Sequence, residues 1–86
     1  MTRDGLIKRL QDGKAVNLKY SKEGLSGIVN IWRYDNKYII TWEECEDGNQ
    51  WNESAFTKDE KYEFKTIDEV MKFIDKHSFD INSFRP

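Results

Sequence analysis

One stretch, Val29 to Glu43, constrains the fold of this chain more than any other part of the sequence. Two runs of strand-forming residues flank the dipeptide Asp35-Asn36. Asp and Asn tolerate the positive φ that a two-residue turn requires, so the stretch predicts a tight β-hairpin. A turn at these two residues also fixes the register, because it places Trp32 opposite Ile39.

Side chains alternate across a sheet, so the predicted hairpin has two faces. The face that we predict to join the core carries Val29, Ile31, Arg33, Tyr38, Ile40 and Trp42. The second face carries Ile28, Asn30, Trp32, Tyr34, Lys37, Ile39, Thr41 and Glu43. A small domain has few elements that can cover two faces, so the second face is our candidate partner-binding surface. The competing interpretation is that a helix or the terminal tail, residues 78–86, covers it.

The composition indicates one small domain. The chain has 86 residues, which is enough for a single core, and 14% of them are aromatic. Cys45 is the only cysteine, so no intramolecular disulfide can form. No apolar run in the sequence approaches the length of a signal peptide or a membrane span. We therefore expect a cytoplasmic protein.

The net charge of −2 hides an asymmetry between the two halves of the chain. Residues 1–42 contain eight basic and four acidic residues, whereas residues 43–86 contain six basic and twelve acidic ones. The acidic residues are densest between residues 43 and 60, where Lys58 is the only basic residue. Such an asymmetry either steers a charged partner or is balanced within one fold.

The periodicity of the sequence predicts an α+β fold with a single domain over residues 1–86. Helices are predicted over residues 3–12 and 66–77, and a capping box opens the second one at Thr66-Ile67-Asp68-Glu69. Strands are predicted over residues 15–20, over the two arms of the hairpin and over residues 61–65. Residues 21–27 are predicted as a connection, and residues 44–54 as an ordered loop with a strand extension near Gln50–Glu53. The order is α-β-β-β-(β)-α, an antiparallel sheet packed by helices and followed by the tail 78–86.

No residue pattern in the sequence is typical of an enzyme or of a metal site. His77 is the only histidine, so no second imidazole is present for a proton relay or a metal cluster. Acidic residues flank Cys45 and disfavour the thiolate that a nucleophilic cysteine needs. Residues 44–49 place oxygen ligands near a glycine but lack the ligand spacing of an EF-hand loop. We therefore predict a non-enzymatic protein without a cofactor or a metal.

Direct binding to nucleic acid is not favoured by the sequence. The predicted element order matches the double-stranded RNA-binding domain, and Trp32 and Tyr34 offer rings on which single-stranded bases can stack. That domain, however, relies on a basic cluster at the start of its second helix, where this chain has Asp68 and Glu69. The isoelectric point of about 5.4 also differs from the basic value typical of such proteins.

A protein-binding module is the class that the sequence favours. Aromatic residues and Arg are enriched at binding hot spots, and Trp32, Arg33 and Tyr34 lie together in the hairpin. A small acidic protein can also imitate nucleic acid by placing carboxylates where a nuclease or a DNA reader expects phosphate. The predicted partner-binding residues are Trp32, Arg33, Tyr34, Ile39, Glu43, Glu44, Glu46 and Asp47.

Four short parts of the sequence share features with a known family: Gly5-Leu6-Ile7-Lys8-Arg9-Leu10, the strand Val16-Asn17-Leu18-Lys19, the strand Tyr38-Ile39-Ile40 followed by acids, and the acidic start of the last helix. In these parts the chain resembles the small phage-encoded anti-CRISPR proteins that inhibit Cas9. The resemblance implies that carboxylates occupy a DNA-binding site of the nuclease, without turnover, inside a bacterial host cell.

A second resemblance competes with the first. Bacterial immunity proteins, which neutralise a cognate toxin, are similarly small, acidic and often α+β. Their toxins are commonly basic nucleases, so both resemblances imply stoichiometric blocking of a nucleic-acid enzyme. The sequence leaves open which partner is bound, whether the protein is a monomer or a homodimer, and where the tail 78–86 lies.

Overall fold

Four antiparallel strands in the order β1-β2-β3-β4 form the centre of the fold. The computed structural model describes residues 1–46 and 56–86. Its elements are α1 (Arg3–Gln11), β1 (Val16–Lys22), β2 (Leu25–Tyr34), β3 (Lys37–Glu46), β4 (Phe56–Phe64), α2 (Ile67–Lys76) and a short 3₁₀ turn (Ile81–Ser83). The α+β class and the order of elements predicted from the sequence are confirmed.

The hairpin of β2 and β3 has the predicted turn and register. Asp35 and Asn36 have φ angles of 51° and 61°, as a two-residue turn between twisted strands requires. Trp32 lies opposite Ile39, and Val29 lies opposite Trp42. Because side chains alternate along each strand, the two sets of hairpin residues lie on the two faces to which the sequence assigned them.

Residues 21–27 form a hairpin, and their prediction as an irregular connection is wrong. The strands β1 and β2 pair as far as Lys22 and Leu25, across a turn at Glu23 and Gly24. Both turn residues have positive φ, at 52° and 81°. Glutamate rarely adopts this conformation, so the dipeptide lacks the Asn-Gly or Asp-Gly signal by which such turns are recognised.

The loop predicted over residues 44–54 begins later than predicted, because β3 continues to Glu46. The fourth strand is longer than predicted, since β4 begins at Phe56 rather than at residue 61. A register shift between Glu44 and Cys45 leaves one residue of β4, Thr57, without a register partner on β3. The strand extension predicted near Gln50–Glu53 lies outside the described residues.

Both helices and the tail pack on one face of the sheet, which we call the inner face. Its buried strand residues are Val16, Leu18, Val29, Ile31, Tyr38, Ile40 and Trp42. The helices and the tail contribute Leu6, Leu10, Val70, Met71, Phe73, Ile74 and Phe84 to the same cluster. The predicted core face of the hairpin is therefore confirmed, with Arg33 at its exposed end.

Hydroxyl caps begin both helices. The Thr2 hydroxyl accepts a hydrogen bond of 3.1 Å from the Gly5 amide, and the Thr66 hydroxyl accepts one of 3.3 Å from the Glu69 amide. Each bond satisfies an amide that has no partner within its helix. The predicted cap at Thr66 is confirmed, and α2 is thereby aligned so that its apolar stripe meets the inner face.

The tail packs against the inner face and the edge of β1. Phe84 is fully buried in the core, and the ring of Phe79 lies 5.0 Å from the ring of Trp42. Asn17 and Arg85 exchange two backbone hydrogen bonds of 2.8 and 2.7 Å. The tail therefore does not cover the second face of the hairpin.

A close approach on the inner face requires the glycine at residue 27. Tyr20 is the register partner of Gly27, and its ring crosses that glycine toward β3. A Cβ atom at residue 27 would lie 2.1 Å from Cζ of Tyr20, far inside van der Waals contact. Glycine thus gives the tyrosine ring a path to its partners on the next strand.

We expect Gly27→Ala to destabilise the protein by about 1–3 kcal/mol, because the Tyr20 ring must move. Urea unfolding of the variant checks this value. In a Tyr20→Ala background the ring is absent, so the same substitution should cost nothing or stabilise by roughly 0.5–1 kcal/mol. An equal cost in both backgrounds would contradict the proposed contact.

Candidate functional site

The second face of the sheet, which we call the outer face, lies opposite the helices. Register and alternation place on it Asn17, Lys19 and Ser21 of β1, Ser26, Ile28, Asn30, Trp32 and Tyr34 of β2, Lys37, Ile39, Thr41, Glu43 and Cys45 of β3, and Asp59, Lys61 and Glu63 of β4. The apolar residues of α1, α2 and the tail all belong to the cluster on the inner face. Within residues 1–46 and 56–86, no helix or tail segment is thus placed over the outer face.

One end of the outer face is aromatic and apolar. Tyr34 is 67% exposed and is the one large hydrophobic residue classed as exposed in the described part of the chain. Trp32 is half-buried beside it. Ile39 is only 7% exposed, and its register partners on either side are Trp32 and Glu63. This end is therefore a firm apolar platform with an exposed ring at its border.

The other end of the outer face carries adjacent carboxylates. Glu43 of β3 and Asp59 of β4 are register partners, and like charges at such positions repel each other. A cleft of about 600 Å³ opens beside Glu43, and Lys19 and Ile28 also line it. Over the described strands, the outer face holds three lysines and three carboxylates, so its net charge is zero. Two of the carboxylates, Glu43 and Asp59, nevertheless lie side by side.

The predicted partner-binding residues are divided between the two faces. Trp32, Tyr34, Ile39 and Glu43 lie together on the outer face. Glu46 is exposed at the end of β3, and Asp47 lies outside the described residues. The structure brings only the first four onto one surface.

Arg33 lies on the inner side of the hairpin and contacts the first helix. Its guanidinium donates a hydrogen bond of 2.8 Å to the carbonyl of Gln11 and one of 3.4 Å to Oδ1 of Asn36. The Gln11 carbonyl lies at the end of α1, where carbonyls lack partners within the helix. Arg33 thus joins α1 to the hairpin turn.

Glu44 also lies on the inner face, where it belongs to a hydrogen-bonded group. The Tyr20 hydroxyl donates to the Glu44 carboxylate and accepts a bond of 2.8 Å from Nε1 of Trp42. Burial, and then the hydrogen bond to Glu44, raise the pKa of Tyr20 to about 12. The Lys58 ammonium lies 3.5 Å from the centre of the Trp42 ring, which is a cation–π distance. Glu44 is therefore engaged within the fold.

His77 packs among aromatic rings at the end of α2. Its ring lies 4.8 Å from the ring of Trp42 and 4.5 Å from the ring of Phe73. Burial, reinforced by the charges of Lys76 and Lys58, lowers the pKa of His77 below its ordinary value. Such surroundings favour a neutral packing residue. Cys45 is 4% exposed, and the described residues contain no group of three or more metal-ligating side chains.

Several members of the outer face were not identified from the sequence. Asp59, Lys61 and Glu63 join it because β4 runs beside β3 over its whole described length. Lys61 and Glu63 lie in the strand that the sequence predicts over residues 61–65, but the sequence does not show that this strand pairs with β3. Asp59 precedes it in a run of four charged residues, 58–61, which lacks the apolar residues by which strands are usually recognised.

Comparison of the chain with protein-family models, with curated proteins and with solved structures gives no match. Within the described residues, none of the helices combines the length and the apolar character needed to cross a membrane.

We expect the Tyr20 hydroxyl to contribute stability that disappears at high pH. The folded pKa of about 12 lies above the ordinary value of 10, so the contribution is complete below pH 10 and is lost as the pH rises through 12. The difference in unfolding free energy between the wild type and Tyr20→Phe should therefore shrink between pH 10 and 12. A difference that stays constant over this range would contradict the assignment.

We expect the two sheet faces to respond differently to truncation. Tyr34→Ser should change the unfolding free energy by no more than about 0.5 kcal/mol, because the ring is largely in solvent. Ile40→Ala, on the inner face, should cost about 2–5 kcal/mol. Urea unfolding measures both, and a large loss for Tyr34→Ser would mean that this ring supports the fold.

Proposed function

We propose that this protein is a non-enzymatic binding domain that blocks a nucleic-acid enzyme by occupying it in a one-to-one complex. The observation that supports the proposal is the composition of the outer face. Trp32, Tyr34 and Ile39 lie on a sheet surface that the helices and the tail leave uncovered in the described structure, and carboxylates lie on the same surface. Exposed apolar surface with a polar border is typical of protein interfaces.

The aromatic end supplies the contact area. A tryptophan or tyrosine buries a large surface at a small cost in side-chain entropy, which is why these residues dominate binding hot spots. Trp32 and Tyr34 are held on a paired strand, so little further ordering is needed when a partner binds.

The carboxylate end supplies the electrostatic match. Glu43 and Asp59 form no ion pair with other described residues, and carboxylates at these positions can accept hydrogen bonds from a basic partner. The neighbouring cleft can receive an arginine or lysine side chain beside Glu43. Nucleic-acid enzymes present such basic side chains where phosphates bind, and carboxylates can occupy the same positions.

The charge balance of the outer face argues against nucleic acid as the direct ligand. Lys19, Lys37 and Lys61 are offset by three carboxylates on the same described strands. Proteins that stack single-stranded bases combine aromatic residues with a positively charged groove that follows the backbone. The rings of Trp32 and Tyr34 lack that groove on this face.

We adopt the version in which the protein is encoded by a phage or mobile element and inhibits a host defence nuclease, such as a CRISPR nuclease, in the bacterial cytoplasm. Neutralisation of a toxin nuclease would use the same contacts. The identity of the captured enzyme separates the two versions, and a toxin gene immediately upstream would favour immunity.

Affinity capture from bacterial lysate, followed by mass spectrometry, tests the proposal. We expect the wild type to enrich a nucleic-acid enzyme and, added in equal amount, to inhibit it. Trp32→Ala with Tyr34→Ala should abolish capture, and Glu43→Lys or Asp59→Lys should weaken it at least about tenfold, because buried charge pairs across interfaces are worth several kcal/mol.

Asp68→Lys is the matched control, since it reverses one exposed carboxylate on α2, on the other side of the sheet. It should leave capture unchanged. Undiminished capture by the outer-face variants, or enrichment of no nucleic-acid enzyme, would overturn the proposal. Salt-sensitive binding of purified protein to DNA or RNA alone would instead indicate a direct nucleic-acid binder.

A further inference from the structure

We propose that, in the free protein, the outer face binds a second copy of this chain, so that two sheets stack face to face. The inference rests on the proposed role of the outer face as a docking surface and specifies what occupies it before the target arrives. In the proposed dimer, a two-fold axis lies midway between the two sheets and runs parallel to the strands, above the line between β2 and β3.

The strand order determines which residues meet in this arrangement. Rotation about such an axis exchanges β1 with β4 and β2 with β3, and it keeps each residue at the same height along the strands. Each outer-face residue of β2 therefore faces its own register partner on β3 of the second copy. Stacked sheets pack about 10 Å apart with nearly aligned strands, which this axis provides.

The apolar end becomes the centre of contact. Trp32 faces Ile39 of the second copy, and the symmetry repeats the same contact, so the two pairs form one apolar cluster. Tyr34 faces Lys37 of the second copy, which sets an ammonium near an exposed ring. Asn30 faces Thr41, with which it already shares a hydrogen bond of 3.5 Å within one copy.

The charged end also matches under this symmetry. Lys19, Ile28, Glu43 and Asp59 form one row across the four strands. In the second copy the row is reversed, so Lys19 faces Asp59 of the other copy at both ends of the row, and Glu43 faces Ile28 in the middle. Lys19 and Asp59 form no ion pair with other described residues, so their contact between copies replaces no ion pair of the described structure.

The other two-fold axis that stacks these faces runs perpendicular to the strands, and it is less favourable. Centred on the row of Asn30 and Thr41, it keeps each strand above itself and exchanges the rows on either side. Asp59 would then face Glu63 of the second copy, and Glu43 would face Ile39. Repulsion between Asp59 and Glu63 disfavours this arrangement. A carboxylate faces an apolar residue in either arrangement, because Glu43 faces Ile28 when the axis is parallel to the strands.

The size of the face indicates a reversible dimer. Four strands about 4.8 Å apart and eight residues long cover about 500 Å² of flat surface, or about 1,000 Å² for the pair. This area is at the lower limit of specific protein interfaces. A target with a better match can therefore displace the second copy, which makes self-association a competitor of target binding.

Charge reversal tests the arrangement. Sedimentation equilibrium over a range of concentrations should show a monomer–dimer equilibrium for the wild type. Lys19→Glu places two carboxylates face to face in the dimer, and Asp59→Lys places two ammonium groups face to face. Each variant alone should raise the dimer dissociation constant at least about tenfold, because both symmetric contacts are reversed.

Mixing the two single variants provides the decisive control. A mixed dimer restores an attractive pair at both contacts, so the equimolar mixture should dimerise about as well as the wild type. Lys72→Glu, on the exposed surface of α2, should leave the wild-type dissociation constant unchanged. Circular dichroism of each variant confirms that it is folded.

A wild type that remains monomeric at all concentrations would overturn the proposal, as would a dimer that neither single variant weakens. Weakened single variants that the mixture does not rescue would overturn the axis parallel to the strands. None of these results decides whether the protein binds a nucleic-acid enzyme, because the capture experiment tests that separately. Conversely, a failure to capture an enzyme would leave the monomer–dimer measurements unaffected.

Discussion

The two-residue turn at Asp35 and Asn36 is the constraint on which the rest of the structure depends. Both residues hold positive φ, so the strands on either side can pair in only one register. A slip by one residue would turn Ile31 outward and Trp32 inward. The same turn therefore fixes the apolar core beneath the sheet and the aromatic platform above it.

The edges of the sheet direct binding toward its outer face. Arg85 pairs with Asn17 and covers part of the edge of β1. At the other edge, β4 carries the ion pairs Lys58–Glu60 and Lys61–Glu63, with distances of 3.6 and 3.9 Å. Charged residues on an edge strand oppose pairing with a further strand. A partner that docks on this sheet is thus expected to use side chains of the face rather than backbone hydrogen bonds.

Much of this fold was predictable because local signals agreed with the global pattern. The hairpin turn, the cap at Thr66 and the apolar stripe of α2 each follow from a few residues with a physical preference. The β1–β2 hairpin was not predictable, since Glu23 adopts a conformation that glutamate disfavours. The candidate residues divide between the two faces as alternation dictates. The contact of Glu44 with Tyr20 requires the glycine at residue 27, on the strand between them, and no local signal near Glu44 indicates it.

Cysteine labelling at Thr41 tests whether the outer face of the sheet is open to solvent. Thr41 lies at the middle of the outer face, between Asn30 and Lys61, and Cys45→Ala removes the native thiol. In dilute protein, Thr41→Cys, at a half-buried position, should react with a thiol reagent far faster than Ile40→Cys, which should react only when the protein unfolds. A protected thiol at residue 41 in the dilute monomer would mean that the outer face is covered, and the account of its function would fail.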